Sequence, residues 1–262
     1  MKKWTITVLF VLISAFVLTS CGKAETDQLT AIREAGKIKI ALEGAWAPWN
    51  YHDLSTNELV GFDTEVGLGI AKRLGVEAEF YEAEWDALFA GLEGRRYDII
   101  INGVEDIESR RKKYDFTEPY AYIKTALIVR DDNETIKTFE DLKDKKTCNS
   151  INSTYMLLAE QYGATVQGVD SLEETLNMVS AGRVDATLNA EVSFYDYMSV
   201  HPDANLKTVA LTEEASHVVI PLRKGPASET LRAAISDAIK DMRDSGELSA
   251  ISVKYFGKDI TQ

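Results

Sequence analysis

Strand-like and helix-like runs alternate along most of this 262-residue chain, and their order restricts the folds open to it. Residues 37–42 alternate side chains as a strand does, and residues 63–74 repeat apolar residues every four positions as a helix does. Asp63 is expected to cap that helix and Gly75 to end it. Alternation of this kind is typical of an α/β fold with largely parallel sheets.

The same alternation continues towards the C-terminus. Strands are predicted over 77–82 and 99–101, and helices over 86–93, 154–162, 171–181, 191–200 and 228–245. Ser171 and Glu174 form a capping-box pattern at the start of one of these helices.

A weak repeat indicates two lobes. In each of the segments 94–102 and 182–189, a Gly is expected to end a helix, an Asp to begin a strand and an Asn to end that strand. Open α/β sheets bind ligands at the carboxyl ends of their strands, where both Asn residues are expected. The apolar runs 125–129 and 217–222 are candidate connections between the lobes. We therefore predict a two-lobed fold with two hinge crossovers and a cleft. The first lobe is predicted over 37–126 and 216–262, and the second over 127–215.

The first twenty residues have the composition of an export signal. Two lysines precede an uncharged segment whose apolar centre, 6–18, is shorter than the ~20 residues that a membrane span needs, although a span is the alternative. Residues 18–21, Leu-Thr-Ser-Cys, resemble the lipobox of bacterial lipoproteins. We expect removal of residues 1–20, lipidation of Cys21, and an N-terminal tether over 21–36.

Charge and cysteine content restrict the partners. Loss of Lys2 and Lys3 with the signal changes the formal net charge from −13 to −15, which disfavours nucleic acid and anionic lipid as partners. With Cys21 modified, Cys148 has no intramolecular partner, so the exported chain must be stabilised by its core.

Few residue patterns indicate catalysis. His52, His201 and His217 are far apart and lack metal-ligand spacing. The sequence has no phosphate-binding glycine loop and no nucleophile elbow, and its many acidic residues are typical of a solvated surface. We expect no metal, no cofactor and no enzymatic activity.

Aromatic residues lie close to charged residues in predicted loops, namely Trp46, Trp49, Tyr51, Trp85 and Arg110. Trp49 and Tyr51 are expected to fill the core. A cleft for a zwitterion needs an Arg for the carboxylate, a carboxylate for the ammonium group and flat apolar walls. The chain contains residues for each of these tasks.

Four segments in order resemble the polar amino-acid solute-binding proteins of ABC importers: 59–63 (LVGFD), 85–88 (WDAL), 97–100 (YDII) and 110–120 (RRKKYDFTEPY). The resemblance covers essentially the whole mature chain. It implies an extracytoplasmic protein, anchored outside the cell membrane or in the periplasm. It also implies a monomer that captures an amino acid by lobe closure and delivers it to an ABC permease.

The resemblance also implies roles for residues of the first lobe. Arg110 falls where the family binds the ligand carboxylate, and Trp46 and Trp85 fall where aromatic rings sandwich the ligand. Glu43 matches an acidic position that contacts the ligand side chain, and Gly103 matches a glycine whose carbonyl accepts from the ammonium group.

In the second lobe, Asn149, Ser153 and Thr154 fall in a loop that opens a helix, where backbone N–H groups favour a carboxylate. Capping of that helix is the alternative role for Ser153 and Thr154. Asn189 ends a strand at the cleft. Residues 149–153 and 182–189 resemble the cystine-binding branch of the family.

The chain departs from the family pattern at two positions. Ala190 stands where the family usually has an Asp that pairs with the ammonium group, and Glu105 stands where a Thr or Ser is usual. We hypothesise that Glu105 replaces the missing Asp, because a buried ammonium group without a counter-charge is costly. A dehydratase-like enzyme on the same fold and an amino-acid sensor are the alternative functions.

Overall fold

The computed structural model describes residues 26–262, so the predicted signal, Cys21 and the start of the predicted tether lie outside the described residues. The helices are α1 (Gln28–Ala35), α2 (Phe62–Leu74), α3 (Trp85–Glu93), α4 (Glu108–Arg111), α5 (Thr154–Gln161), α6 (Leu172–Ser180), α7 (Glu191–Val200), α8 (Glu229–Asp244) and α9 (Glu247–Phe256). Two 3-10 turns cover Phe139–Leu142 and Pro226–Ser228.

The strands of the first half are β1 (Lys37–Leu42), β2 (Ala45–Trp46), β3 (Asn50–His52), β4 (Leu59–Val60), β5 (Glu77–Glu82), β6 (Ile99–Ile100), β7 (Tyr114–Phe116), β8 (Ala121–Ile123) and β9 (Thr125–Arg130). Those of the second half are β10 (Lys146–Asn149), β11 (Thr165–Gly168), β12 (Ala186–Ala190), β13 (Leu206–Leu211), β14 (Ser216–Val218) and β15 (Pro221–Arg223).

The first lobe is built on a parallel sheet with the order β5-β1-β6. Successive residues of β1 point to opposite faces, so Ile40 belongs to the same buried cluster as Val66 of α2, while Ala41 belongs to another cluster with Leu88 of α3. Both faces of the sheet are therefore covered by helices, which explains why four of the six residues of β1 are buried.

The second lobe is built on a five-stranded sheet with the order β11-β10-β12-β9-β13. Strands β10, β11 and β12 are parallel, and β9 runs antiparallel to both of its neighbours. Side chains of β9 again alternate: Leu127 belongs to the same buried cluster as Tyr155 of α5, and Ile128 belongs to another cluster with Leu176 of α6. The predicted two-lobed α/β fold is confirmed.

The chain enters the five-stranded sheet of the second lobe between β8 and β9, and it leaves that sheet between β13 and β14. Strands β8 and β14 pair with each other in antiparallel register, so the two crossovers lie side by side. Residues 125–129, predicted as a connection, belong to the second sheet, and the crossover directly precedes them. The predicted lobe boundaries at 126/127 and 215/216 lie near these crossovers and stay a prediction.

Three local predictions need correction. Gly61, not Asp63, precedes the first residue of α2, because the Asp63 carboxylate accepts hydrogen bonds from Asn50 and Tyr120 in the interior. The predicted tether contains α1, whose Leu29 and Ile32 are buried. Helix α9 was not predicted. In the described range 26–262, no helix is long and apolar enough to cross a membrane.

Candidate functional site

A cavity of about 180 Å³ lies between the two lobes. Its lining residues are Glu43, Ala45, Trp46, Glu84, Trp85, Asn102, Gly103 and Glu105 of the first lobe, and Asn149, Ser150, Ser153, Thr154, Tyr155, Asp170, Ser171, Leu172, Thr175 and Asn189 of the second. Many of them follow the carboxyl ends of parallel strands, because these ends meet at one edge of each sheet.

Asn102 organises the first-lobe wall. Its side-chain oxygen accepts from the Glu43 backbone N–H (2.8 Å) and from Asn50 Nδ2 (3.0 Å), and its Nδ2 donates to Glu43 Oε2 (2.6 Å). Burial raises the pKa of Glu43 to about 7, although the hydrogen bond from Asn102 opposes this shift. Glu43 is thus a carboxyl group that can be neutral or charged near neutral pH.

Gly103 approaches the aromatic wall closely. Its backbone has a φ of 55°, and a Cβ atom at this position would lie 2.5 Å from Cζ3 of Trp46. The Gly103 N–H donates to Tyr120 Oη (3.2 Å), which donates to Asp63 Oδ1 (2.8 Å). Burial raises the pKa of Asp63 to about 7. Both the conformation and the close approach require glycine here.

Trp46 stacks on Trp49 with ring centroids 5.1 Å apart and an interplanar angle of 15°. Trp49 is fully buried and fills the core as predicted, and its indole N–H donates to Ser193 Oγ (2.9 Å) in the second lobe. Trp46 is thus supported from behind and presents a flat apolar face to the cavity.

Arg110 is the one predicted binding residue that does not line the cavity. Its guanidinium lies over the rings of Trp85 (5.1 Å) and Phe89 (5.5 Å). Nη1 donates to the Glu105 carbonyl oxygen (3.0 Å), and Nη2 donates to the Asn152 carbonyl oxygen (3.2 Å). Burial lowers the pKa of Arg110, against the charge of Glu105. In this arrangement Arg110 joins the two lobes beside the cavity.

Glu105 brings a carboxylate into the cavity from the first lobe. The residue is 4 % exposed, and its Oε1 accepts a hydrogen bond from Thr154 Oγ1 of the second lobe. Ala190, where the family usually has an acidic residue, is fully buried and provides no charge. Glu105 is therefore the most buried carboxylate among the lining residues.

The second-lobe wall contains the starts of two helices. Ser153 Oγ accepts from the Met156 N–H (3.1 Å) and caps α5, and Ser171 Oγ accepts from the Glu174 N–H (3.2 Å) and caps α6. The predicted capping role of Ser153 is confirmed, while Thr154 is the first residue of α5. The N-terminal end of a helix dipole favours anions, so this wall has two places that attract negative charge.

Asn149 lies between these helix starts at the end of β10. Its Nδ2 donates to the Leu188 carbonyl oxygen (2.7 Å) and to Thr187 Oγ1 (3.3 Å). Its Oδ1 has no hydrogen-bond partner among residues 26–262, although the residue is only 1 % exposed. The second-lobe wall thus contains a buried acceptor without a donor.

The structure brings nine of the ten predicted binding residues to one cavity and leaves Arg110 behind its wall. Nine further lining residues were missed: Ala45, Glu84, Asn102, Ser150, Tyr155, Asp170, Ser171, Leu172 and Thr175. Two had usable signals. Asn102 ends a strand in the internal repeat, and Ser171 caps a helix that follows a strand.

Direct contacts between the lobes surround the cavity. Besides the contacts of Trp49, Glu105 and Arg110 with the second lobe, Lys258 Nζ lies 2.7 Å from Glu191 Oε1. These contacts indicate a closed arrangement.

Residues 38–258 match the family described as bacterial extracellular solute-binding proteins, family 3. The chain belongs to this family. This protein is 34% identical to the L-cystine-binding protein TcyA of Bacillus subtilis over the full length of both chains. The resemblance predicted from sequence is confirmed, and the protein is a solute-binding protein.

Two solved structures resemble this protein. An ancestral arginine-binding protein bound to arginine is 31% identical, with a TM-score of 0.78 and coverage of 85% of this chain and 99% of the other. The L-cystine solute receptor of Neisseria gonorrhoeae in its unliganded open conformation is 33% identical, with a TM-score of 0.61 and coverage of 89% and 99%. Because the identities are similar, the higher score with the ligand-bound structure agrees with closed lobes.

Proposed function

We propose that this protein captures a polar amino acid, cystine or a close relative, and delivers it to the permease of an ABC importer. In this proposal it acts as a monomer outside the cell membrane, anchored through a lipid on Cys21, and it binds its ligand without transforming it. TcyA and the N. gonorrhoeae receptor support cystine as the ligand, because both are described as binding or receiving it.

The observation that carries the proposal is the placement of complementary groups from the two lobes side by side in the cavity. Glu105 offers a carboxylate from the first lobe, and the start of α5, whose Thr154 contacts that carboxylate, offers backbone N–H groups from the second. An α-amino acid has an ammonium group and a carboxylate on one carbon, so it can meet both lobes at once. Arg110 lies behind the wall, and it would reach the ligand carboxylate by giving up a contact with a carbonyl oxygen of Glu105 or Asn152.

The remaining wall residues suit the rest of the ligand. Trp46 and Trp85 provide flat apolar surfaces, and the Gly103 carbonyl and the free Oδ1 of Asn149 can accept from the ammonium group. Glu43 is placed to contact the ligand side chain, and Asn189 completes the second-lobe wall. A ligand held by both lobes stabilises the closed arrangement over an open one by its differential affinity for the two.

Calorimetric titration of the full chain in detergent with an amino-acid panel, cystine included, tests the proposal. Cystine should bind, and Glu105→Gln should weaken binding far more than Glu191→Gln, by about tenfold or more, since it leaves the ligand ammonium group without its charge partner. Glu191 lies outside the cavity lining, and its ion pair with Lys258 joins the two lobes. Glu191→Gln therefore removes one contact of the closed form, a pair of partly exposed groups worth about 0–1 kcal/mol, without touching the ligand. Absence of binding by every amino acid would refute the proposal, and equal effects of the two substitutions would refute the role of Glu105.

A further inference from the structure

Asp63 is a buried carboxylate that the proposed ligand contacts do not include. It is fully buried in the first lobe, and it does not line the cavity. Its oxygens accept from neutral donors, Oδ1 from Tyr120 Oη (2.8 Å) and Oδ2 from Asn50 Nδ2 (3.1 Å). A carboxylate in such a neutral setting is costly to bury, so an Asp at this place calls for a reason other than stability.

Backbone N–H groups fix the direction of the hydrogen bonds that end on Asp63. An N–H can only donate, so the Gly44 N–H (2.8 Å) holds Asn50 Oδ1 as its acceptor, and Asn50 Nδ2 is left to donate to Asp63. On the other branch, the Gly103 N–H holds Tyr120 Oη as its acceptor, and the Tyr120 proton is left to donate to Asp63. Both branches therefore need a side chain that accepts with both of its polar atoms.

The two backbone N–H groups that start these branches also set the direction of two carbonyl groups. The peptide bonds before Gly44 and Gly103 are trans, so the N–H and the C=O of each point in opposite directions. Since both N–H groups point into the network, the carbonyls of Glu43 and Asn102 point away from it. Neither carbonyl oxygen accepts a hydrogen bond from residues 26–262, and both residues line the cavity. The network thus favours a first-lobe wall of hydrogen-bond acceptors.

We propose that Asp63 is a positioning residue for ligand binding: through its two hydrogen-bond branches it turns the backbone at Gly44 and Gly103 so that the first lobe offers acceptors to the ligand ammonium group. Asp63 acts on the ligand without touching it. Its ionised form is suited to this role, because a charged acceptor binds donors about twice as strongly as a neutral one and polarises the bonds that end on it. This inference rests on the proposed amino-acid binding and adds the residue that sets the polarity of the ammonium side.

Asp63→Asn changes the polarity of the network at nearly constant shape. Whichever way the amide faces, its NH2 group meets either Asn50 Nδ2, which is a donor, or Tyr120 Oη, whose proton then lacks an acceptor. Calorimetric titration of the full chain in detergent with L-cystine should show about tenfold weaker binding. The titration is run at pH 8.5, above the pKa of about 7 that burial gives Asp63, so that the wild-type carboxyl group is ionised.

A second variant exchanges donor and acceptor along one bond of the network. Asn50→Asp combined with Asp63→Asn keeps an acceptor for the Gly44 N–H and another for the Tyr120 hydroxyl group. The double variant should therefore bind cystine more tightly than Asp63→Asn alone, which measures the coupling between the two positions.

Tyr120→Phe, with Tyr97→Phe as its matched control, separates positioning from stability. Both tyrosines are buried in the first lobe, but the Tyr97 hydroxyl donates to the Leu88 carbonyl oxygen of α3 and has no link to the cavity wall. Urea unfolding should show that both variants are less stable, because each loses a buried hydrogen bond. Cystine affinity should fall about fivefold or more in Tyr120→Phe and stay unchanged in Tyr97→Phe.

Dithiodipropionate, which is cystine without its ammonium groups, shows which part of the ligand is affected. Its affinity, measured by displacement of cystine, should be the same in the wild type and in Tyr120→Phe. If it displaces cystine from neither protein, binding requires the ammonium group, and the comparison of the two tyrosines decides.

Wild-type cystine affinity in Asp63→Asn and Tyr120→Phe, or equal losses in Tyr120→Phe and Tyr97→Phe, would overturn the positioning role and leave the proposed function intact. An equal loss of affinity for cystine and dithiodipropionate in Tyr120→Phe would also overturn it, because the whole cavity would then be affected. Binding of no amino acid by the wild type would refute the proposed function and this inference with it.

Discussion

Glu43 is a carboxylic acid in a place that favours its neutral form. Its pKa rises from an ordinary value of 4.5 to about 7 on folding, mainly through burial. Between these values the folded state binds more protons than the unfolded state, so the free energy of unfolding should fall as pH rises from about 4.5 to about 7 and then level. Buried Asp63, whose pKa also rises to about 7, acts in the same direction.

Glu43→Gln should therefore reduce this pH dependence, because Gln stays neutral and can still accept from Asn102. Urea unfolding at pH 5 and pH 7.5, followed by tryptophan fluorescence, gives the two free energies for each variant. Glu34→Gln, on the exposed side of α1, is the control and should keep the wild-type difference. A Glu43→Gln protein with the wild-type difference would show that Glu43 ionises normally.

At the residue scale, sequence motifs located most of the cavity but not the orientation of each side chain. Trp46, Trp85 and Glu105 were predicted at the cleft and do line it. Arg110 was predicted to face the ligand, yet it lies over Trp85 and bonds to Asn152, 42 residues away in the chain. That contact depends on how the lobes meet, and a local motif contains no information on this.

Helix α1 shows how an element can be missed when its packing partner is distant in sequence. Its eight residues are few for an isolated helix. Asp27 accepts from the Thr30 N–H at its start, and Gly36 ends it in the left-handed conformation. Leu29 and Ile32 pack in the same buried cluster as Leu231 and Ile235 of α8. Tertiary packing thus makes this part of the predicted tether helical.

Ile32→Ala should therefore destabilise the protein by about 2–4 kcal/mol, since it removes buried methyl groups and leaves a cavity. Leu54→Ala is the matched control, because Leu54 is fully exposed and its loss should change the free energy of unfolding by less than about 0.5 kcal/mol. Urea unfolding of both variants gives the comparison. Similar small effects would mean that α1 is not docked on α8.

The same limit explains why Asp63 was misassigned as a cap. An Asp at the start of an apolar helix satisfies the local pattern, but Asn50 and Tyr120 provide a buried hydrogen-bonding site that competes for its carboxylate. Elements with their own periodicity, such as β1 and α2, were predicted with the correct bounds or within one residue.

At the scale of the whole molecule, function depends on the balance between open and closed lobes. A weak internal repeat indicated two lobes and two apolar runs indicated their connections, but only the structure shows which side chains meet on closure. Trp49 Nε1 and Ser193 Oγ are both buried in the closed form and bond to each other across the lobes. In an open form, water can form hydrogen bonds with both groups. This hydrogen bond therefore favours closure mainly because, without it, the indole N–H of Trp49 would be buried and unsatisfied in the closed form.

Ser193→Ala should therefore shift the balance towards the open form. An unsatisfied indole N–H costs about 1–3 kcal/mol in the closed form, so ligand affinity should fall by about tenfold, since 1.4 kcal/mol corresponds to a factor of ten. Ser199→Ala is the control on the same helix, because Ser199 is exposed and donates only to the Asp196 carbonyl oxygen of α7.

Calorimetric titration gives the affinities, and small-angle scattering gives the radius of gyration. Ser193→Ala should need more ligand to reach the compact form yet become equally compact at saturation, because the ligand can still bridge the lobes. Wild-type affinity in Ser193→Ala would mean that closure is governed by the ligand contacts alone.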